Sequence, residues 1–319
     1  MGSPREDPAE RLAGDEFERH RRRLMGLAYR MLGSVAESED IVQDAYLRWH
    51  KADRSGIADA RAFLSKVVAR LCLDHLKSAR VRRESYVGPW LPEPVLDNRA
   101  LTVDGAGELA DDLSVGLMLT LERLSPLERA AFLLHDVFDL DHTEVARVLG
   151  RSEAACRQLA ARGRAHVKES RPRFPATDEG AVQLAAAFLK ASRTGDVETL
   201  GRLLAEEAVL HSDGGGKRTA ALRPILGRDR ITRFFAGLAQ KAGAVGPLSY
   251  DTATINGQPG YVVTEPDGSL TTVALEILDG RILAVYIMRN PEKLGHLMGP
   301  RRDPAESMRD DREGADSPE

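Results

Sequence analysis

DHTEVARVLGRSEAACRQLAARGRAHVK, residues Asp141 to Lys168, reads as two helices with a tight break between them. Thr143 is placed to cap a short helix over 144–149. Gly150 breaks it, and Ser152 is placed to cap a second helix from Glu153 to about Lys168. A break of three or four residues containing Gly, between helices of this size, is the helix-turn-helix pattern. In the second helix Cys156, Leu159, Gly163 and Val167 share one face, while Arg157, Gln158, Arg162, Arg164 and Lys168 fall mostly elsewhere. One side can pack on a core. The other offers guanidinium and amide groups, which read base edges and phosphates in a major groove. A plain helical hairpin with a solvated basic face has the same pattern, so the rest of the chain must decide.

The 319 residues leave room for two or three domains. Hydrophobic content of 42% and charged content of 29% place the chain in the soluble globular class. A net charge of -4 excludes an overall polycation. Residues 147–173 nevertheless carry eight Lys/Arg against two acids, a local +6, and such patches make a nucleic-acid footprint. Cys72 and Cys156, the two cysteines, sit at apolar helix positions, which argues against a disulfide framework and for a reducing cytosol. The N-terminal residues lack an apolar signal core, and no run of about 18 apolar residues would span a membrane. No metal or cofactor motif is expected.

Outward from the opening stretch, helical periodicity recurs. Asp15 to Leu32 carries Phe17, Leu24, Leu27, Met31 and Leu32 at spacings near three and four. A second helix, Ala36 to Lys51, has Glu37, Glu39 and Asp40 in its first turn, where carboxylates suit the positive helix end. A third, Asp59 to about Ala79, runs into the basic cluster Lys77, Arg80, Arg82, Arg83. The prolines of Gly88–Pro94 forbid a helix and mark a linker over 89–112, read as a tether. Its Trp90 would be wasted in solvent and calls for a docking surface. Leu113 to Leu124 is one helix, and Ser125-Pro126 caps and starts another. Two all-α domains over 15–88 and 113–173 result.

After a boundary near Phe174 come helices over 179–191, 196–205 and 227–242 and a strand at Val209–Ser212. The Gly-rich turn Asp213, Gly214, Gly215, Gly216, Lys217 leads into a strand over 218–222. Four further strands follow at 248–255, 260–265, 270–278 and 281–288. That order means α+β over 178–298. The turn is not a phosphate loop, because His211 and Arg218 stand where a Walker motif needs Gly and Ser/Thr. His211, Asp213, Tyr250 and Tyr286 are the candidate acid–base groups of this domain. Residues 1–14 and 299–319 are expected to be disordered.

Several motifs carry a family resemblance. Ser38 to Trp49, SEDIVQDAYLRW, is similar to the core-polymerase-binding helix of bacterial sigma factors. Arg61-Ala62-Phe63-Leu64 with the following helix resembles the promoter −10 segment of their extracytoplasmic-function group. Leu124 to Leu134 resembles the start of the −35-binding domain and leads directly into the helix-turn-helix. WLPEP (90–94), DGGGK (213–217) and NPEKL (290–294) are similar to motifs of the subgroup with a fused C-terminal SnoaL-like domain, a curved sheet wrapped around helices.

The resemblance implies a sigma factor that binds core RNA polymerase through Glu39, Asp40, Gln43, Asp44 and Trp49. Lys77, Arg80, Arg82 and Arg83 would hold the melted −10 strand, with Phe63 and Tyr86 as possible aromatic partners. On the −35 side Arg157 and Gln158 would reach bases, with Glu153 and Arg162 behind them, while Arg151, Arg164 and Lys168 would reach phosphates. The fused domain would regulate in place of a separate anti-sigma protein, with no covalent chemistry of its own. Asp213–Lys217 and Asn290, Pro291, Lys293 and Leu294 would contact Trp90, Leu91 and Pro92 or the promoter readers. A small ligand in the cone is conceivable. So are a ligand-sensing repressor and a SnoaL-type enzyme with a DNA-binding appendage. The acidic helix argues against the repressor.

Overall fold

The computed structural model describes residues 8–84, 86–96, 101, 112–170, 178–242 and 248–298, with the side chains of 8–13, 79–84, 170, 178–179 and 242 left aside. The first domain is a bundle of α1 (Pro8–Leu32), α2 (Val35–Lys51) and α3 (Ala60–Glu84). Residues 8–14 belong to α1, so the disorder expected over 1–14 does not hold for them. The α1–α2 turn uses Gly33 at φ 70, and Ser34 caps α2 by accepting from the Glu37 amide at 3.1 Å. α3 runs past the expected Ala79, so the backbone of the basic cluster stays helical.

The second domain holds α4 (Val115–Arg123) and α5 (Pro126–Phe132), a π-helical turn (Leu133–Val137), α6 (His142–Leu149) and α7 (Glu153–Ser170). Ser125 and Glu128 form a reciprocal capping box on α5. The cap of α6 is Asp141, not Thr143. Its carboxylate accepts from the Glu144 amide at 2.7 Å, and Glu144 reaches back to the Asp141 amide at 3.1 Å. Thr143 already lies inside the first turn and donates its hydroxyl to Glu153 at 2.9 Å. Gly150 adopts φ 63 between α6 and α7, as the helix-turn-helix break requires. Gly163 lets α7 approach α5, since a Cβ there would sit 2.7 Å from Cβ of Phe132. One hydrophobic core runs through both helical domains, joining Leu27, Leu32 and Val68 to Phe132, Leu133 and Val145.

The third domain is a six-stranded sheet with strand order β2-β1-β6-β5-β4-β3. Its strands are β1 (Leu204–Asp213), β2 (Ile225–Leu226), β3 (Ser249–Ile255), β4 (Gln258–Thr264), β5 (Leu270–Leu278) and β6 (Arg281–Met288). β1 and β6 are parallel and the other neighbours antiparallel. The expected strand over 218–222 is absent, because the Arg218 amide turns back to the Gly214 carbonyl at 3.0 Å. Two-residue alternation gives the sheet two apolar faces. Leu275, Val285 and Ile287 face α8 (Asp178–Thr194), α9 (Val197–Leu203) and α10 (Arg228–Ala242). Ala274, Tyr286 and Met288 face the opposite way, against Leu91 of the linker and Val115 of α4.

The linker is therefore no free tether over its first half. Leu91 to Val95 is buried throughout. The space left between Leu91, Pro92, Pro94 and the sheet is about 10 Å³, near the lower limit for a single water. The expected 299–319 tail lies outside the described residues. No helix among the described residues is long and apolar enough to cross a membrane.

Candidate nucleic-acid interface and interdomain latch

α7 turns Cys156, Ala160, Gly163 and Val167 into the core and leaves Glu153, Arg157, Gln158, Arg162, Arg164 and Lys168 exposed, with Arg151 exposed in the preceding turn. Three of the arginines are held by carboxylates. Arg157 lies 3.5 Å from Glu153, Arg162 lies 3.6 Å from Glu128, and Arg164 donates through Nε to Asp136 at 2.7 Å. These pairs preset side-chain direction without hiding the donors.

On α2, Glu39, Asp40, Gln43 and Asp44 form an exposed acidic stripe. Trp49 does not join it. It is 4% exposed and packs on Phe63 at 5.8 Å between ring centroids. Its position carries it to the core face of α2, so Trp49 is a core residue and not a contact residue, while Phe63 is half-buried and packs against it. Lys77 is exposed and pairs with Asp74 at 2.7 Å. The side chains of Arg80, Arg82 and Arg83 lie outside the described residues. Tyr86 is half-buried and turns its hydroxyl to Asp213 of the third domain.

The two helical domains are clamped together. Arg70, on the −10-like helix α3, donates to the carbonyls of Val148 and Arg147, both at 3.1 Å, and so occupies the C-terminal end of α6. Arg129 on α5 is 3% exposed, pairs with Glu122 at 2.9 Å and donates to the Met31 carbonyl of α1.

The three short motifs meet at Asp213, which is fully buried at the end of β1. Its carboxylate accepts from the Tyr86 hydroxyl at 2.5 Å, the Leu91 amide at 2.9 Å, the Gly215 amide at 3.0 Å and Lys293 Nζ at 2.8 Å. Lys293 also donates to the Leu91 carbonyl at 2.6 Å and lies over the rings of Tyr86 and Trp90. Burial, then the adjacent carboxylate, pushes the Tyr86 phenol up, so it stays a donor. Asn290 caps the short helix α11 (Pro291–Leu294) and donates to the Tyr86 hydroxyl at 2.9 Å. Gly215 and Gly216 take positive φ, and a Cβ on Gly215 would overlap the Asn290 amide. Gly214 is buried, Leu294 and Pro92 are core, Pro291 is exposed, and Lys217 pairs with Glu292 at the rim.

Several contributors carry no motif. Asn256, in the β3–β4 turn, donates to the Tyr29 hydroxyl at 2.7 Å and the Leu113 carbonyl at 3.0 Å, and accepts from the Val95 amide at 3.0 Å. One amide thus ties both helical domains and the linker to the sheet. Gln258 accepts from the Val115 amide at 3.0 Å. Glu93 accepts from Ser34 Oγ at 2.8 Å and the Val35 amide at 2.7 Å, acting as a second cap of α2. Arg30, 1% exposed, donates to the Leu101 carbonyl at 3.1 Å. The signal open to a reader was Asn256-Gly257, a β-hairpin turn in which Asn tolerates positive φ.

The candidate acid–base groups fall into separate settings. Asp213 is consumed by the latch. His211 stacks on Tyr286 at 5.6 Å, and Tyr286 donates to Glu276, beneath Gly116 of α4. Tyr250 lies on the other side of the sheet with Arg193 4.1 Å from its ring. Burial lowers the His211 pKa and raises those of Glu276 and Tyr286.

This geometry meets clear relatives. The Sigma-70 region 2 family matches residues 17–82 and the Sigma-70 region 4 family matches residues 114–167. The ECF RNA polymerase sigma factor SigJ of Mycobacterium tuberculosis is 40% identical over 292 residues, covering 87% of this chain and 92% of its own. The chain belongs to the extracytoplasmic-function sigma factors. The probable sigma factor SigI of the same organism is 33% identical over 87% of this chain and 93% of its own. The crystal structure of Mycobacterium tuberculosis SigJ superposes with a TM-score of 0.69 at 38% identity, covering 88% of this chain and 98% of that one. A sigma factor of this family directs promoter-specific transcription initiation, with core RNA polymerase and promoter DNA as its partners. The sigma factor's C-terminal third is the six-stranded α+β domain, in the place where the resemblance expects a SnoaL-like cone.

Proposed function

We propose that the cone regulates this sigma factor in cis by holding its two promoter-reading domains in a closed pair. The observation that carries this is the Asp213 carboxylate, which gathers donors from the end of the first domain, the linker and the last helix of the cone. The −10 and −35 elements lie about 25 base pairs apart, roughly 85 Å of duplex at 3.4 Å per step. Domains that share one core and the Arg70 clamp cannot straddle that distance, so loading on a promoter requires the pair to part. In the open chain Glu39, Asp40, Gln43 and Asp44 dock on core polymerase. Lys77, Arg80, Arg82 and Arg83 hold the −10 strand, and α7 takes the −35 duplex.

The cone acts as a clamp, not a catalyst. This reading is supported by the dispersal of His211, Asp213, Tyr250 and Tyr286 into three unrelated settings. A small ligand of the cone enters this reading only as an agent that frees the sheet face now covered by Leu91 and Val115.

Run-off transcription with purified core polymerase on a genomic fragment library tests the proposal. Full chain and Lys293→Ala are compared at equal concentration. The variant is expected to initiate at the same promoters with several-fold higher yield. Equal yields, together with equal radii of gyration in solution scattering, would overturn it.

A further inference from the structure

The Lys293 ammonium lies over two aromatic rings. Its Nζ lies 4.7 Å from the ring centroid of Tyr86 and 4.3 Å from that of Trp90. The two centroids are therefore no more than about 9 Å apart. Trp90 is seated from behind by the α1–α2 turn, its Cη2 resting where a side chain of Gly33 would be. Tyr86 follows directly on α3, two residues beyond its last residue, Glu84. The slot thus lies just past the end of the helix that carries Lys77 and the basic run at 80–83. The Lys293 side chain is 11% exposed, and Asp213 holds its ammonium there.

We propose that the Tyr86–Trp90 slot is a stacking site for an unpaired DNA base, and that Lys293 fills it in competition with DNA. A base stacked on both faces needs about 7 Å, twice the 3.4 Å rise of stacked bases, which lies within the bound of about 9 Å that the shared ammonium sets on the two rings. A cation over an aromatic face and a base against it use the same ring surface, so the two occupants exclude one another. Adjacent cations track the phosphates while the rings take the π-face, the usual division of labour for single strands. Occupation by DNA strips Lys293 of both rings and Asp213 of the Tyr86 hydroxyl, which loosens the latch from the DNA side. This deepens the proposed cis regulation, since promoter melting itself would help keep the chain open.

The test uses the full chain and a fluorescein-labelled 12-nucleotide mixed A/T single strand at low salt. Lys293→Ala is expected to bind it at least five-fold more tightly than wild type. The gain is expected to vanish for the same strand with abasic sites, which keeps the phosphates and removes the π-faces. It is also expected to vanish in Lys293→Ala/Trp90→Ala. If the gain persists with abasic DNA or in the double variant, it comes from general exposure of cations and the slot proposal fails. An unchanged affinity of Lys293→Ala for the intact strand also overturns it. Failure of the cis-regulation reading is separate, because it is read from run-off yield of Lys293→Ala, not from binding of the probe.

Discussion

Asn256 donates its side-chain amide to the hydroxyl of Tyr29, 227 residues earlier in the chain, at 2.7 Å. Both residues are buried, and Tyr29 passes the bond on to the Glu93 carbonyl at 2.7 Å. A buried polar chain of this kind is costly when incomplete, because each orphaned partner keeps its desolvation penalty. It acts as a registration pin: the cone, linker and first domain satisfy one another only in this arrangement.

Asn256→Ala should therefore cost more than one hydrogen bond. It orphans the Val95 amide and the Leu113 carbonyl and places Ala at φ 52. A loss of about 3 kcal/mol is expected, from one to two unsatisfied groups plus left-handed strain. Urea unfolding would show a lowered midpoint. Solution scattering would show a larger radius of gyration, which a purely local defect would leave unchanged.

Gly33 makes a sharper probe of the linker. A Cβ there would lie 2.3 Å from Trp90 Cη2, and the residue sits at φ 70. Gly33→Ala is expected to unseat Trp90, shift its fluorescence to the red and raise transcription with purified core. Trp49 is the second indole and is buried elsewhere, so the comparison is made in a Trp49→Phe background. Unshifted emission in that background would mean the ring stays seated.

What could be read from the chain beforehand followed the range of the interactions. Periodicity and caps act within a few residues, so the helix-turn-helix, the Ser125-Pro126 start and the strands over 270–288 were legible. Trp49 was misplaced although it shares the apolar face of α2 with Ile41, Val42 and Ala45; only the family resemblance had put it on the contact surface, and its packing on Phe63 agrees with the periodicity. Asp141 and Thr143 both fit a cap, and the reciprocal partner Glu144 selects the first. Asn256, Gln258, Glu93 and Arg129 act on backbone groups far along the chain. No local pattern encodes such pairings. The meeting of WLPEP, DGGGK and NPEKL was anticipated only through resemblance, and its centre, Asp213, also stood among the weaker candidate acid–base groups.

Glu276 should make docking of the second domain pH-dependent. It lies beneath Gly116 of α4, accepts from Tyr286, and burial raises its pKa above the ordinary 4.5, with Asp112 adding to the rise. A raised value in the docked state means docking is strongest below 4.5 and weakens as pH rises through the raised value. His211, stacked on Tyr286 and near Arg123, has the opposite sign. Its pKa is lowered from 6.5, so its contribution is present above that value and fades as pH falls. Glu276→Gln isolates the carboxylate. The difference in urea midpoint between variant and wild type is expected to favour the variant at pH 8 and to shrink toward pH 5. A difference independent of pH would show that Glu276 acts through shape alone.

The exposed face of α7 makes the last prediction. Arg157 and Gln158 sit early on the helix, where a recognition helix meets base edges, whereas Arg164 lies a turn or more beyond and is oriented by Asp136. With holoenzyme on a promoter found by run-off selection, Arg157→Ala should lower affinity for that promoter by roughly 5- to 150-fold, the range of one lost base contact, and relax preference at one −35 position. Arg164→Ala should weaken binding evenly across sequences and reduce the salt slope by about one. Asp136→Asn separates orientation from charge. If Asp136 merely presets Arg164, its loss weakens binding with the salt slope unchanged, because the guanidinium still releases a counterion on contact. An even loss for Arg157→Ala and a position-specific loss for Arg164→Ala would reverse the assignment and require the helix to enter the groove by its C-terminal half.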